Sequence, residues 1–416
     1  MVLHVRPAAA NMSRPQRSGL VPGVMHSMVE HSGTLFFAGI TAGGEQPDDI
    51  AAQTRLVLEK IDALLAANGV AKDRLLTAVL FITDLSLRPL ANAEWTAWLP
   101  EGEEPARTSL GAVALMPGEL IEIQVTAAAA GSGPILRHGR NPGTYHTCVE
   151  HNGLLHFSGC SMHDESQDMA TQTEGALARL TERLTERGVG KDHLLSSVVF
   201  VDDMDQLPQM NDVYGTWMTL DPAPARALVG CDLGEGTRFT IMATAATEQY
   251  PVERLGEAVR HNGEREPSDL FSVCFWCSFT CSRVWPLLRF SVHPFNDCSP
   301  RCAGRLYVRG TVGIVDVDGV TLLDNEHDMG DQTRAAMARL DKILREGGSS
   351  SQSVLSATLY VTGPGMEKKP AMNAAWGNFF PAGCEPARAT IAIETMGALR
   401  LIEFSGVAAV DDSAKL

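Results

Sequence analysis

The sequence predicts an α+β fold built three times in one chain and closed into an intramolecular pseudo-trimer. Three observations carry this expectation. One ordered string of motifs recurs three times along the 416 residues. Within each copy the apolar period switches between that of a strand and that of a helix. A sheet covered by helices on one face must bury its other face, and two sister units can supply that cover around a pseudo-threefold axis. The length exceeds what one hydrophobic core usually serves, and 44% hydrophobic with 20% charged residues is a globular composition.

The first copy runs from His31-Ser-Gly-Thr-Leu-Phe-Phe-Ala-Gly39 through Gln53-Thr54, Phe81-Ile-Thr-Asp84 and Asn92 to Pro105-Ala-Arg107 and Leu120-Ile-Glu-Ile123. The second gives His151-Asn-Gly-Leu-Leu-His-Phe-Ser-Gly159, Gln172-Thr173, Phe200-Val-Asp-Asp203, Asn211, Pro224-Ala-Arg226 and Phe239-Thr-Ile241. The third gives Gly304-Arg-Leu-Tyr-Val-Arg-Gly310, Gln332-Thr333, Tyr360-Val-Thr362, Asn373, Pro386-Ala-Arg388 and Leu401-Ile-Glu-Phe404. The interval from Arg226 to Arg388 is longer than that from Arg107 to Arg226, so the later interval contains an insertion.

Each copy opens with strands and then carries one long amphipathic helix. Val57, Ile61, Leu64 and Leu65 recur at helical spacing before Asn68-Gly69; Leu177, Leu180 and Leu184 do so before Gly188, and Met337, Leu340 and Leu344 before Gly347. The runs rich in β-branched residues over 78–83, 197–201 and 357–362 follow as strands. A shorter helix around Asn92, Asn211 or Asn373 comes next, and a final two-strand ribbon ends the unit. The expected boundaries are a flexible N-terminus over 1–19, units over 20–130, 136–248 and 296–410, and a linker or insertion over 249–295.

Charge and composition narrow the partners. With 34 basic against 50 acidic residues the formal charge is −16, which repels phosphate backbones and argues for small molecules rather than nucleic acid. No apolar stretch reaches the roughly 20 residues of a bilayer span, so no membrane partner is expected. Residues 1–29 contain Arg6, Arg14 and Arg17 with no acid before Glu30. That pattern leaves a mitochondrion or plastid as the alternative to the cytoplasm. Nine cysteines in no even spacing speak against a secreted disulfide framework.

The motif set resembles the RidA/YjgF family of enamine/imine deaminases. The resemblance lies in the Phe-x-x-Gly strand end, the Gln-Thr helix start, the asparagine before the second helix, and Pro-Ala-Arg followed by Ile-Glu-Ile. It implies chorismate-mutase-like units, assembly in threes with ligand clefts between neighbours, and no metal or organic cofactor. It further implies that Arg107, Arg226 and Arg388 bind the carboxylate of a 2-imino or 2-aminoacrylate-type acid, a task that suits a bidentate guanidinium. Glu122 and Glu403 would handle the hydrolytic water as general bases, while the second unit has Thr240 at that position, which can hold water without taking its proton.

The remaining implied ligand contacts are Gly39, Gly159 and Gly310, where backbone would approach the ligand, and Asn92, Asn211 and Asn373, which helix capping would explain equally well. Ser158 matches a common serine of the family where the other copies have Ala38 and Arg309. Tyr145 matches its first-strand tyrosine, with Met25 and Asn296 as counterparts. Two residues past each arginine, where the family often has cysteine, stand Ser109, Leu228 and Thr390.

One expectation comes from geometry. If the last two strands form a hairpin turning near Pro117-Gly118, Glu122 lies roughly 20 Å along the strand from Arg107. Arginine and glutamate of one unit then fall in different clefts, and each site pairs an arginine with its neighbour's acid. Two such sites keep both groups and one does not.

The paired histidines His26/His146 and His31/His151 lack a metal-ligand pattern common to all units and are expected at the surface or at strand edges. Residues 262–302 hold Cys274, Cys277, Cys281, Cys298 and Cys302 in an apolar setting without a recognisable zinc knuckle. The missing Pro-Gly pattern suggests that the insertion displaces the first strand of unit three. The reading is therefore a monomeric pseudo-trimer that hydrolyses reactive enamines or imines, with 2-imino and 2-oxo acids as ligands. A non-catalytic carboxylate-binding or regulatory protein is the alternative, and endoribonuclease a weaker third.

Overall fold

The computed structural model describes residues 14–250, 252–254, 301–302, 304–314, 323, 325, 327–362, 367–396 and 399–410. Unit one comprises β1 (Gln16–Val21), β2 (Met25–His31), β3 (Thr34–Phe37), β4 (Ile40–Thr41), α1 (Ile50–Ala67), β5 (Leu75–Ile82), α2 (Arg88–Trp98), β6 (Ala106–Gly111) and β7 (Ile121–Ala128). Unit two comprises β8 (Leu136–Asn141), β9 (Tyr145–His151), β10 (Leu154–Ser161), α3 (Met169–Glu186), β11 (Leu194–Val201), α4 (Leu207–Trp217), β12 (Ala225–Gly230) and β13 (Phe239–Ala246). Unit three comprises β14 (Arg301–Cys302), β15 (Arg305–Val312), α5 (Met329–Glu346), β16 (Val354–Thr362), α6 (Lys369–Phe379), β17 (Ala387–Ile393) and β18 (Ile402–Ala409).

The long helices start and stop alike. The side chains of Asp49, Asp168 and Asp328 accept the N–H groups of Ala52, Thr171 and Asp331, satisfying donors that a helix N-terminus leaves open. One turn in, Gln53 donates to the carbonyls of Gln46 and Gly118 and accepts from the Leu120 N–H, and Gln172 and Gln332 repeat this pattern. The recurrent glutamine thus ties the helix start to the approach of the last strand. The left-handed stop residues are Gly69, Gly188 and, one position beyond the expected Gly347, Gly348 at φ 65.

The expected closing ribbon is corrected. β5 lies between β6, which it pairs in parallel, and β7, which it pairs antiparallel; β11 and β16 occupy the same place in their units. Two successive strands that both pair with an earlier strand cannot also pair with each other. Arg107 is in register with Ala78 and Glu122 with Phe81. The two residues are therefore two strand spacings and three positions apart, roughly 14 Å between Cα atoms.

Helices cover the outer sheet faces over three cores, built around Trp95, around Met210 and Tyr214, and around Trp376. The inner faces meet in a fourth, to which unit one gives Phe81 and Leu110, unit two Phe200 and Val229, and unit three Tyr360 and Ile391. Phe200 and Tyr360 pack edge to face with centroids 6.4 Å apart. Backbone bonds close the ring: Gly111 N donates to Asp232 O, Gly230 N to Thr395 O and Ala392 N to Ala114 O. Ala387 pairs with His26, joining the sheets of units three and one into a single 12-stranded sheet beside the 6-stranded sheet of unit two.

Each unit also clamps the one before it. Arg17 donates to the carbonyls of Gln352 and Val354, Arg137 to those of Asp73 and Leu75, and Arg254 to those of Asp192 and Leu194. Arg254 thereby does for unit three what Arg17 and Arg137 do for units one and two. Arg254, within the expected linker 249–295, is therefore docked on unit two. Likewise Gln16–Val21 is a strand, although 1–19 was expected to be flexible. The expected insertion cysteines over 274–298 and most of the loop 315–327 lie outside the described residues.

His26, His31, His146 and His151 are buried rather than superficial, because the strands that carry them abut a neighbouring unit. His26 Nδ1 lies 2.6 Å from Glu385 O and His146 Nδ1 2.7 Å from Glu104 O. Among the described residues no group of His, Cys, Asp and Glu side chains could hold a metal ion, and no helix is long and apolar enough to cross a membrane.

Candidate functional site

The outer strand of each unit breaks register at one place. The β10 ladder shifts between Phe157 and Cys160, the β15 ladder shifts between Val308 and Thr311, and Ala38-Gly39 separates β3 from β4. Such a bulge turns backbone groups out of the ladder. The freed N–H groups reach a neighbouring unit: Gly39 N donates to Arg388 O at 3.1 Å and Gly159 N to Thr108 Oγ1 at 2.9 Å. The arginine strand of each unit therefore lies against the bulge of the next, unit three against unit one included.

A Cβ at Gly39 would stand 1.7 Å from Glu122 Oε1, and one at Gly310 would stand 2.0 Å from Glu403 Oε1. At Gly159 the nearest atom would be Thr108 Oγ1 at 3.0 Å. These glycines were expected to admit ligand. At Gly39 and Gly310 the space is taken instead by the glutamate of the same unit, which leans over the bulge towards the neighbour's arginine strand.

The three arginines share a setting that their spacing did not reveal. Arg107 Cζ lies 5.0 Å from the Trp95 ring, Arg226 Cζ 4.6 Å from Tyr214 and Arg388 Cζ 5.2 Å from Trp376. Asn92 Oδ1 accepts from Arg107 Nη2, and Asn373 Oδ1 accepts from Arg388 Nη2 at 2.9 Å. The asparagines lie inside α2, α4 and α6, three residues before the aromatic ring and on its face. They are not caps: the caps of these helices are Leu87, Gln206 and Lys368. The asparagine orients the guanidinium while the ring supports it. The recurrence of Trp95, Tyr214 and Trp376 with the period of the repeats is the signal that could have shown this.

Arg107 and Arg388 are 6% and 4% exposed, and the Nη1 atom of each finds no hydrogen-bond partner among the described residues. Burial pushes both guanidinium groups below their ordinary pKa. The Arg88 charge adds to the effect on Arg107 and Tyr145 opposes it, while Glu122 opposes it at Arg388. Both remain protonated at neutral pH. A buried guanidinium with an open N–H edge calls for a hydrogen-bond acceptor.

Two of the three interfaces also hold a buried acid. Burial pushes Glu122 up to about 7, against the lowering effect of Lys369, Arg388 and the Thr390 N–H. Burial likewise pushes Glu403 up to about 7, against Arg400, the Leu228 N–H, Arg226 and Arg339. Leu228 N donates to Glu403 Oε1 at 3.2 Å. So the charge of Arg388 of unit three acts on Glu122 of unit one, and that of Arg226 of unit two on Glu403 of unit three.

The third cleft joins Arg107 of unit one to Ser158, Gly159, Thr240 and Tyr145 of unit two. Ser158 Oγ accepts from the Arg107 backbone N–H and donates to His146 O, so its hydroxyl is occupied in holding the interface. Ser109 Oγ accepts from Arg107 Nη2 at 2.9 Å. The expected separation of arginine and glutamate within a unit is present, though β5 rather than a hairpin enforces it. Asn211 is buried on α4; Asn296 and the side chain of Arg309 lie outside the described residues.

Comparisons with known proteins match the units one at a time. The family model described as Endoribonuclease L-PSP matches three times, over residues 22–129, 139–247 and 289–410. The RutC family protein YoaB of Escherichia coli K12 is 32% identical over 101 residues, covering 24% of this chain and 87% of that protein. A RutC family protein of Haemophilus ducreyi is 31% identical over 97 residues, covering 23% of this chain and 83% of its own. Among solved structures, NMB1025 of Neisseria meningitidis, a YjgF family member, is 33% identical with a TM-score of 0.26, covering 28% of this chain and 96% of that one. With the family model matched in all three units, the chain belongs to the RidA/YjgF family.

Proposed function

We propose that the chain hydrolyses reactive 2-aminoacrylate-type enamines or imines to 2-oxo acids and ammonia in the two clefts that hold an arginine and a glutamate. The observation that carries this reading is a buried carboxyl at the neighbour's arginine strand: Glu122 lies over Gly39, whose N–H is bound to Arg388 O, and burial pushes that acid up to about 7. A group with that pKa takes a proton from water and returns it at neutral pH. The arginine receives the substrate carboxylate and fixes the imine carbon beside the acid. The ionised glutamate accepts a proton as water adds to that carbon, and the imine nitrogen takes a proton. The resulting carbinolamine loses ammonia as its hydroxyl proton leaves, and the 2-oxo acid remains. Lys369 beside Glu122, and Arg400 and Arg339 beside Glu403, favour the charged acid once water enters.

A second reading is supported by the cleft of Arg107. With Thr240 in the place of an acid it can hold a carboxylate without a base, as a binding or regulatory site would. The name endoribonuclease attaches to the family model, but the formal charge of −16 disfavours a phosphate backbone. The deciding experiment measures ammonia and 2-oxo acid released from enzymatically generated 2-iminopropanoate. Acceleration that disappears in the Arg226→Ala, Arg388→Ala double variant supports hydrolysis. Absence of acceleration in a wild-type chain that still binds 2-oxo acids leaves the binding reading.

A further inference from the structure

We propose that the cleft between units one and two binds a doubly charged anion of the short dicarboxylate class. The clefts differ at the first residue of the second helix as well as at the acid. Arg88 opens α2, with Asn92 one turn on and Trp95 after it, all on one face of the helix. The same positions in α6 are Lys369, Asn373 and Trp376, and in α4 they are Leu207, Asn211 and Tyr214.

The balance of charge follows from these residues. The cleft of Arg226 has no cation at the helix start and contains Glu403, on which Arg400, Arg226 and Arg339 all act. In the cleft of Arg388, Lys369 is offset by Glu122, on which its charge acts. The cleft of Arg107 keeps Arg88 as a second cation and has Thr240 where an acid would stand. Arg107 Nη1 is buried without a partner, and Nη2 is held by Asn92 and Ser109.

Arg88 reaches the same interface. A Cβ placed on Gly234 of unit two would stand 3.7 Å from Arg88 Nη1. In that loop Asp232 turns its carboxylate onto the Gly234 N–H at 2.8 Å. Arg88 and Asn92 are a helical turn apart, roughly 6 Å, so one carboxylate on Arg107 leaves the other end of a four-carbon diacid near Arg88. The inference rests on the preceding reading only in that each arginine receives a carboxylate.

The test is calorimetric titration of the full chain with succinate and with butanoate, which match in length and differ by one charge. Succinate is expected to occupy one site per chain about tenfold more tightly than butanoate, as one further charge-assisted contact gives. Arg88→Leu, which copies the residue of unit two, should bring succinate to the level of butanoate, weakening succinate by more than it weakens butanoate. Lys369→Leu should leave the preference intact. Equal binding of the two acids overturns the proposal, as does a preference that survives Arg88→Leu or one that Lys369→Leu removes. Hydrolysis enters none of these readouts, so a chain without deaminase activity can still bind succinate in this way.

Discussion

Glu122 of the first unit and Arg388 of the third lie buried at one interface, where the Thr390 N–H donates to the carboxylate and the arginine acts on its charge. The residue that accommodates this acid is Gly39, which sits under Glu122 Oε1 and donates its N–H to Arg388 O. Acid, glycine and arginine are therefore one steric and electrostatic unit spread over two repeats.

Substituting those glycines should separate the clefts. Gly39→Ala and Gly310→Ala should each displace a glutamate and cost about 1–3 kcal/mol of stability, as overpacking usually does. Each should also remove the hydrolysis contributed by its own cleft. Gly159→Ala meets its nearest atom at 3.0 Å and has no acid to displace; its effect should be smaller on both counts. Thermal unfolding and initial rates of ammonia release read the contrast, and equal effects at all three positions would contradict it.

The raised acids predict a direction for stability against pH. A carboxyl whose folded pKa is about 7 and whose ordinary value is 4.5 binds more protons folded than unfolded between those values. Its stabilising contribution is therefore fully present below about pH 4.5, declines as pH rises, and is lost above about 7. Glu122→Gln and Glu403→Gln should each gain stability relative to wild type at pH 8 over pH 5, by on the order of 2–3 kcal/mol at most. Urea unfolding at the two pH values measures the difference, and a gain confined to pH 5 would reverse the sign.

Hydrolysis should follow the ionisation of the same groups. The rate constant kcat/KM is expected to rise with pH through about 7 as Glu122 and Glu403 lose their protons. In the Glu122→Gln, Glu403→Gln double variant that limb should vanish with most of the activity, a loss of roughly a hundredfold or more. A limb retained in the double variant would assign the base elsewhere.

The arginine supports should act on binding rather than on the chemical step. Asn373→Ala frees Arg388 Nη2 and should raise KM several-fold with little change in kcat, when measured in an Arg226→Ala background that leaves one acid-bearing cleft. Trp376 is fully buried, stacks under Arg388, and donates through Nε1 to Val24 O of unit one. Trp376→Ala should therefore destabilise the whole ring by about 3–5 kcal/mol. An unfolding transition unchanged by Trp376→Ala would show that it is not part of a shared interface.

The sequence by itself determined the unit and its number. Helix period, left-handed stops at Gly69 and Gly188, and the spacing of Gln53, Asn92, Arg107 and Glu122 are short-range properties, repeated where sister copies stand. The same local patterns placed α1, α3 and α5 and the central strands β5, β11 and β16. What tertiary structure alone decided is which neighbour's acid each arginine acts on. Insertion of β5 between β6 and β7 forces Arg107 away from Glu122, and ring closure then delivers Arg388 to that acid. Burial of His26 and His146 and the docking of Arg254 depend likewise on another unit's backbone, while the role of Asn92 as a support rather than a cap depends on the side chain of Arg107 in its own unit. Such contacts join residues far apart in the chain, and no periodicity encodes them, because hydrogen bonding and packing between units are set by the strand order of the folded sheets.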